Sequence, residues 1–274
     1  MTNDDLSFRP TRHRDGIDGA IQRLEVQASL TWPSEAPIVI AETAPGSCVV
    51  ELGCGSGAIL RRLCNDLPGC RVIGVDNDSA LLNSAAAAAP HAQLVVADAT
   101  ATPLGNNTAD VVILRYLLQH LTDPAAALRE AHRLLRPGGR LVVLEVDGGL
   151  WGISQPHLPE LEALQARIWS SQRHRGGNRM VGRRLRTLIR QVGFADDRLD
   201  LYHYSSDDRP LRDFGPLLDP TQYLDLVEDG VLEPAELASA AVAYRRWLDA
   251  PESWLMMVGF AVSGVKRSDA SPTT

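Results

Sequence analysis

Between Val49 and Ile59 the chain reads V-V-E-L-G-C-G-S-G-A-I, an apolar run that breaks into alternating glycines and then resumes with helix-forming residues. Glycine at Gly53, Gly55 and Gly57 lets the backbone turn tightly and approach a ligand where a Cβ would clash. The helix that follows offers unpaired N–H groups at its start. Strand, glycine loop and helix start together suit an adenosine-containing ligand. They do not choose it, because Gly53-Cys54-Gly55-Ser56-Gly57-Ala58 also fits the loose dinucleotide pattern G-x-G-x-x-G/A.

Outward from this loop, residues 47–147 alternate short apolar runs with amphipathic stretches, the pattern of a parallel sheet with crossover helices. Strands are expected at Val49–Leu52, Val72–Val75, Leu94–Ala97, Val111–Leu114 and Leu141–Val146. Ile59, Leu60, Leu63 and Leu67 fall at helical spacing before Gly69, and a second helix begins after Asp78 or Ser79. The clearest helix opens with Asp123 as N-cap and Pro124 in the first turn, buries Leu128, Ala131, Leu134 and Leu135, and stops before Gly138 and Gly139.

Beyond residue 147 the pattern loosens into an expected helical insertion over residues 148–180. A helix from Arg183 to Val192, a sixth strand near Arg198–Tyr204 and a long last strand at Trp254–Val265 complete the reading. Residues 211–226 and a helix from Pro234 through Trp247 belong to the cap, as does a helix over Ile17–Leu30. The expected organisation is an N-terminal helical cap segment over 1–46, a cofactor-binding α/β core over 47–147, the rest of the sheet with cap insertions over 148–267, and a disordered tail over 268–274.

At 274 residues, 45% hydrophobic and 22% charged, the composition is that of one ordinary globular core. The first twenty residues lack the apolar stretch of a signal peptide, and no apolar run is long enough to span a bilayer, so a cytoplasmic protein is expected. Cys48, Cys54, Cys64 and Cys70 match neither a zinc pattern nor a disulfide framework and read as reduced, mostly buried thiols; no metal is expected. A net charge of −7 opposes binding to a polyanion, so a small-molecule substrate is expected, with neither nucleic acid nor membrane as partner. Seven arginines between Arg173 and Arg190 are a local exception, read either as a solvated face or as a seat for a substrate carboxylate or phosphate.

Three acids narrow the choice of ligand. Asp76 ends the second strand, where a carboxylate can accept from both ribose hydroxyls. Asp98, in V-V-A-D-A-T, can accept from an adenine amine while the Ala99 N–H faces the ring. Glu51 places negative charge beside the loop, which suits a cation and repels a pyrophosphate. That balance favours S-adenosylmethionine, which carries a sulfonium and an ammonium but no phosphate.

The motifs E-L-G-C-G-S-G, G-V-D-N-D, V-A-D-A, R-Y-L-L-Q-H-L (Arg115–Leu121) and L-R-P-G-G-R-L (Leu135–Leu141) together resemble the class I S-adenosylmethionine-dependent methyltransferases, in their small-molecule branch. The resemblance is strong over residues 47–147. It implies an open doubly wound α/β sheet of seven strands in the order 3-2-1-4-5-7-6, the last antiparallel, under a helical cap. It also implies a cofactor site of Glu51, Gly53, Cys54, Gly55, Gly57, Asp76, Asn77, Asp98, Ala99 and Arg115, with Arg23 and Gln27 as further candidates.

Methyl transfer depends chiefly on positioning, so a base is optional. His120 is the leading candidate for one, with a loop-bracing role as its alternative; His157, His203, Tyr204 and Glu145 are weaker. Trp151, Trp169, Tyr223 and Trp247 are read as core or as aromatic cover for a substrate. The function expected is methyl transfer to O, N or C of a small metabolite, with natural-product biosynthesis as one setting. The alternatives are a nicotinamide-dependent oxidoreductase, a protein that uses bound S-adenosylmethionine to brace a cyclisation pocket, and a nucleic-acid methyltransferase.

Overall fold

A computed structural model describes residues 15–150 and 152–267. Trp151 and the expected tail therefore lie outside the described residues. The strands expected in the first half are β1 (Cys48–Leu52), β2 (Arg71–Asp76), β3 (Gln93–Val96), β4 (Ala109–Arg115) and β5 (Leu135–Glu145), all parallel, in the order 3-2-1-4-5. The last strand, β8 (Trp254–Lys266), runs antiparallel to β5, and β7 (Phe194–Ser205) pairs with its other edge. The expected order thus holds, with one addition. A short strand, β6 (Gly152–Gln155), pairs with β8 at Gly152↔Met257 where β5 has ended, so the sheet has eight strands and the antiparallel one is the eighth.

The helices cover both faces because successive strand residues point to opposite sides. Val49 packs with Ile59, Leu60 and Leu63 of α2 (Ala58–Asp66) and Leu82 of α3 (Ser79–Ala88) on one face. Its neighbour Val50 packs with Leu128 and Leu134 of α4 (Pro124–Leu134) and Leu188 and Ile189 of α6 (Leu185–Val192) on the other. The expected capping chemistry is present: the Asp78 carboxylate accepts from Ala80 and Leu81 N–H, and Asp123 accepts from Ala125 N–H ahead of Pro124. Gly193 closes α6 at φ 102, the left-handed turn that glycine adopts without strain.

The cap differs most from expectation. The first helix, α1, runs over Gly16–Ala41 rather than stopping near Leu30, and it passes through Pro33 and Pro37. Each proline removes a helix hydrogen bond, a cost the packing offsets. Trp32 and Val39 are buried, and Trp32 Nε1 donates to Asp66 at 2.7 Å. Between them Glu35, with no exposed side-chain surface, accepts from Arg115 Nε at 2.8 Å, Tyr116 OH at 3.0 Å and Tyr202 OH at 3.1 Å. Arg115 also donates to Thr31 Oγ1 at 2.7 Å. A buried ion pair with every partner in place therefore fastens α1 to the sheet. The remaining cap helices include α5 (Pro159–His174), α7 (Gly215–Leu218), α8 (Leu224–Glu228) and α9 (Pro234–Asp249), with α9 against α5. None of the described helices is long and apolar enough to cross a membrane.

Candidate functional site

The C-terminal ends of β1, β2 and β4 and the turn after β3 open into a cleft of about 440 Å³ roofed by α1, α5 and α8. In an open α/β sheet this is where ligands bind, because the strand order reverses there and adjacent crossovers diverge. Glu51, Gly53, Cys54, Gly55, Asp76, Asn77, Asp98, Ala99, Arg115 and His120 all line it. Gly57 does not.

The three glycines do different work. Gly53 has φ 77, and a Cβ there would sit 2.9 Å from Leu117 Cδ1; Gly55 has φ 52, and its N–H donates to Asp76 Oδ2 at 2.8 Å. Both shape the cleft floor. Gly57, at φ 77, would place a Cβ 2.8 Å from the Cα and Cβ of Ala85, so it admits the close packing of α3 against the start of α2. Both its positive φ and the nearness of Ala85 favour glycine there, apart from any contact with a cofactor.

Asp76 is braced at both oxygens, Oδ2 by Gly55 N–H and Oδ1 by Asp78 N–H at 2.9 Å. Burial raises its pKa, while these N–H groups act in the opposite sense. Each oxygen keeps a lone pair for a further donor. Asp98 is exposed, and its Oδ1 accepts from both N–H and Oγ1 of Thr100 at 2.8 and 2.7 Å, so the turn fixes its carboxylate at the cleft edge.

Glu51 is the electrostatic centre of this end. It is only 2% exposed, and its Oε2 has no hydrogen-bond partner among the described residues. Burial pushes its pKa up to about 8; nearby Arg115 opposes the rise, and Asp76 and Glu35 add to it. A buried carboxyl oxygen without a donor is costly unless a ligand supplies one. Arg115 cannot, since its guanidinium is turned to Glu35 and Thr31 and lies over the Tyr116 ring at 4.2 Å. Its side chain thus serves the anchoring of α1. Tyr116, held at φ 51 by its N–H to Leu144 O and its hydroxyl to Glu35, turns the backbone into the cleft. An ammonium suits the open oxygen of Glu51, the paired Asp76 oxygens suit a diol, and the bare backbone admits both closely, so the wall fits S-adenosylmethionine.

Residues 50–143 match the family model described as a methyltransferase domain. That segment is a methyltransferase domain of the class I S-adenosylmethionine-dependent kind. It is 32% identical over 137 residues to a ubiquinone/menaquinone biosynthesis C-methyltransferase of Cereibacter sphaeroides, covering 48% of this chain and 52% of that one. Against a demethylmenaquinone methyltransferase of Thermus thermophilus it is 33% identical over 126 residues, 44% and 57% of the two chains. It is 35% identical over 158 residues to an uncharacterised 37.1 kDa protein in a Streptomyces fradiae transposon, 56% and 45% of the two. The chain thus spans about half the length of the curated relatives it matches. Among solved structures, a Haemonchus contortus phosphoethanolamine N-methyltransferase 2 complex with S-adenosylhomocysteine superimposes with TM-score 0.51 at 18% identity, over 90% of this chain and 52% of that one. A candidate methyltransferase from Bacillus halodurans gives 0.56 at 16%, over 85% and 98%. These two likenesses show the fold.

Within this cleft, His120 is half-buried after β4, and burial together with the Arg179 and Arg23 cations lowers its pKa to about 3. It is a neutral imidazole at physiological pH. The weaker candidates do not line the cleft: His157 is exposed and 2.9 Å from Glu162, Tyr204 stacks on Phe214, His203 faces a different pocket, and Glu145 is buried, accepting from Gln119 N–H. Of the described cap aromatics only Tyr223 lines the cleft. Trp169 packs on Gly148, and Trp247 is buried with its Nε1 on Gln155 O at 3.1 Å. The thiols are free, but only Cys54 is buried; Cys48, Cys64 and Cys70 are half-buried. Burial and the acids beside it raise the Cys54 thiol far out of the nucleophilic range.

The arginine stretch divides. The exposed Arg183 guanidinium pairs with buried Asp147 at 2.6 Å, and Arg186 and Arg190 pair with Asp197 at the surface. Arg175 and Arg179 instead turn into the cleft, joined there by Arg23 of α1. Sequence reasoning did not single out Gln119, Gln172 or Gln222, which also line it. Gln119 was legible only as the neighbour of His120, and the other two carry no sequence signal of their own.

Proposed function

We propose that the chain transfers a methyl group from S-adenosylmethionine to an O, N or C atom of a small organic metabolite, of the kind modified in natural-product biosynthesis. The observation that carries this reading is Glu51, a buried carboxyl with one oxygen awaiting a donor at the mouth of a glycine cradle. When bound, the cofactor supplies a methyl group on a cationic sulfur that an acceptor atom displaces. In this reading Glu51 holds the ammonium, Asp76 the ribose hydroxyls with Asn77 beside it, and Asp98 with the Ala99 N–H the adenine. Gly53, Cys54 and Gly55 line the approach, and Arg115 acts through the backbone and α1 rather than by touching the cofactor.

The roof excludes water and orients the acceptor, which is where most of the rate comes from in a displacement between aligned partners, on the order of 7–11 kcal/mol. His120 is the proposed proton acceptor. Burial, the largest cause of its lowered pKa, keeps the imidazole neutral and so able to take up a proton. The division of the chain into an N-terminal cap segment, a cofactor core and a sheet remainder with cap insertions is part of the same proposal.

The test is calorimetric titration of the full chain with S-adenosylmethionine and with NADH, followed by incubation with methyl-labelled cofactor and a pool of small metabolites. Binding of the first nucleotide alone and label in a small molecule are expected. NADH binding would overturn the cofactor assignment. Tight cofactor binding without any label transfer would favour the cyclisation-bracing reading.

A further inference from the structure

β7 closes one side of the sheet. It pairs with β8 on one edge and, among the described residues, with no strand on the other. Residue parity tells the two edges apart, because each residue of an antiparallel strand turns its N–H and C=O to one side and the next residue turns them to the other. The Ser206 N–H, one position past β7 in the same register, donates to Leu255 O of β8 at 2.8 Å. Residues 204, 202, 200 and 198 therefore face β8, while 203, 201 and 199 turn their backbone groups outward. The outward carbonyl of His203 is already taken by Ser34 Oγ of α1 at 2.8 Å. The open stretch of this edge is thus centred on Leu199 and Leu201, which are 41% and 60% exposed.

Side chains alternate across the same strand. Leu199 and Leu201 share the face of Val262 and Phe260, their partners in β8. Arg198 and Asp200 stand on the opposite face, where Arg198 Nε donates to Asp200 Oδ2 at 2.7 Å. An open edge carrying two exposed leucines invites another strand. A second β7 fits it. Two identical strands paired antiparallel about a two-fold axis match outward residues with outward residues, so the axis passes through a residue and never between two. An axis at Arg198 or Asp200 sets Arg against Arg or Asp against Asp, and one at Asp197 also opposes two carboxylates. An axis at Leu201 sets Leu199 against His203, whose carbonyl Ser34 occupies. An axis at Leu199 sets Leu199 on Leu199 and each Arg198 on the Asp200 of the other copy.

We infer that β7 is a self-association edge, through which two copies of the chain pair antiparallel about an axis at Leu199 and join their sheets into one. The outward N–H and C=O of Leu199 exchange two hydrogen bonds across the axis. Four leucines meet on one face, with Leu201 reaching the other copy's Leu199 on the diagonal, and on the other face the charges alternate in sign. Backbone pairing and the leucines supply affinity. Charge order supplies the register, since opposite charges directly across a strand pair stabilise it and like charges destabilise it. None of Arg198, Leu199, Asp200 and Leu201 lines the cleft, so the pairing can be broken without touching the cofactor wall.

The experiment is sedimentation velocity of the full chain over a range of concentrations, and a concentration-dependent dimer is expected. Arg198→Asp and Asp200→Arg each set like charges opposite one another at two places, and each is expected to weaken the dimer at least about tenfold. Mixing the two variants is expected to restore association, because the mixed dimer sets the aspartates of one copy against the arginines of the other. Oxidation of Leu199→Cys is expected to link the chain to its own copy, since residues on the axis have Cα atoms about 5.5 Å apart, within disulfide reach. Leu201→Cys is expected not to, its two copies being offset by roughly 13 Å along the strands. The parent chain, which has free thiols of its own, sets the background.

A monomer at every concentration, a mixture no better associated than its two components, or crosslinking of Leu201→Cys equal to that of Leu199→Cys would overturn the inference. Recovery in the mixture comes from the same two variants and so cannot be an effect of folding. The cysteine variants carry no change of charge and decide the register independently.

Discussion

The two ends of one cleft carry opposite charge and are built by opposite means. At the cofactor end, Glu51, Asp76 and Asp98 stand on or just after three adjacent parallel strands, within one continuous stretch of chain. At the cap end, Arg23 is separated by the whole core from Arg175 and Arg179, and they line one cleft only because α1 and α5 fold over the sheet. The difference shows how one cavity can present acids at its floor and arginines at its roof, a sorting of charge that acts before any shape is read.

The largest effect expected from breaking this arrangement is on the roof. Glu35→Ala leaves Arg115 buried without its carboxylate and removes the acceptor of two tyrosine hydroxyls, so stability should fall by roughly 3–5 kcal/mol. Denaturant melts check this, and a change under 1 kcal/mol, roughly the worth of an exposed pair, would show that α1 is held otherwise.

Next in size, Asp76→Ala should weaken S-adenosylmethionine about 100-fold in calorimetry, the loss of two hydrogen bonds to a charged acceptor. Gly55→Val should do comparable harm, because it forces a β-branched residue to φ 52 on the cleft floor. Both folds should survive, and unchanged affinity in both would contradict the placement of the cofactor wall.

Gly57→Ala sharpens the comparison by separating packing from binding. A Cβ 2.8 Å from Ala85 at φ 77 should cost about 1–3 kcal/mol of stability while the folded protein binds cofactor within about twofold of the parent. A binding loss larger than the stability loss would return Gly57 to the wall.

The smallest effect is a pH slope. Because the Glu51 carboxyl sits at about 8 in the free protein, it must lose a proton to meet an ammonium. Affinity for S-adenosylmethionine should therefore rise by up to about tenfold per unit from about pH 6 to about pH 7.5, below the range where an α-amino group deprotonates. Glu51→Gln should flatten the slope. The same raised pKa means that Glu51 stabilises the free fold below its unfolded value of 4.5 and loses that contribution as pH rises toward 8, with Glu145, pushed up to about 7, acting in the same sense. Cofactor should erase Glu51's part of this loss in thermal melts.

Much of the sheet could be read from the chain because its signals are local. The V-V-E-L run, the alternating glycines, Asp78 and Asp123 as caps and Gly193 as a stop each act within a few residues, and each lies where the pattern put it. Local pattern stopped short at Leu30, whereas burial of Trp32, Glu35 and Val39 carries the helix onward through Pro33 and Pro37. It also gave no sign of β6, whose four residues gain strand geometry only from the free edge of β8.

Side-chain partnership was the least legible of all. Nothing near Arg115 in sequence says that it faces Glu35 across 80 positions, nor that two arginines of a basic stretch turn inward while three pair with acids outside.

By itself, then, the sequence determined the parallel core, the bend that admits a nucleoside and the acids that favour a cation, since backbone preference and strand-tip position are properties of short segments. Only the tertiary structure decided which glycine lines the wall, which arginine is spent on anchoring, and that a set of cations faces the acids across the cleft. Charge and burial act through space, and the distances that set them exist only once the cap has closed over the sheet.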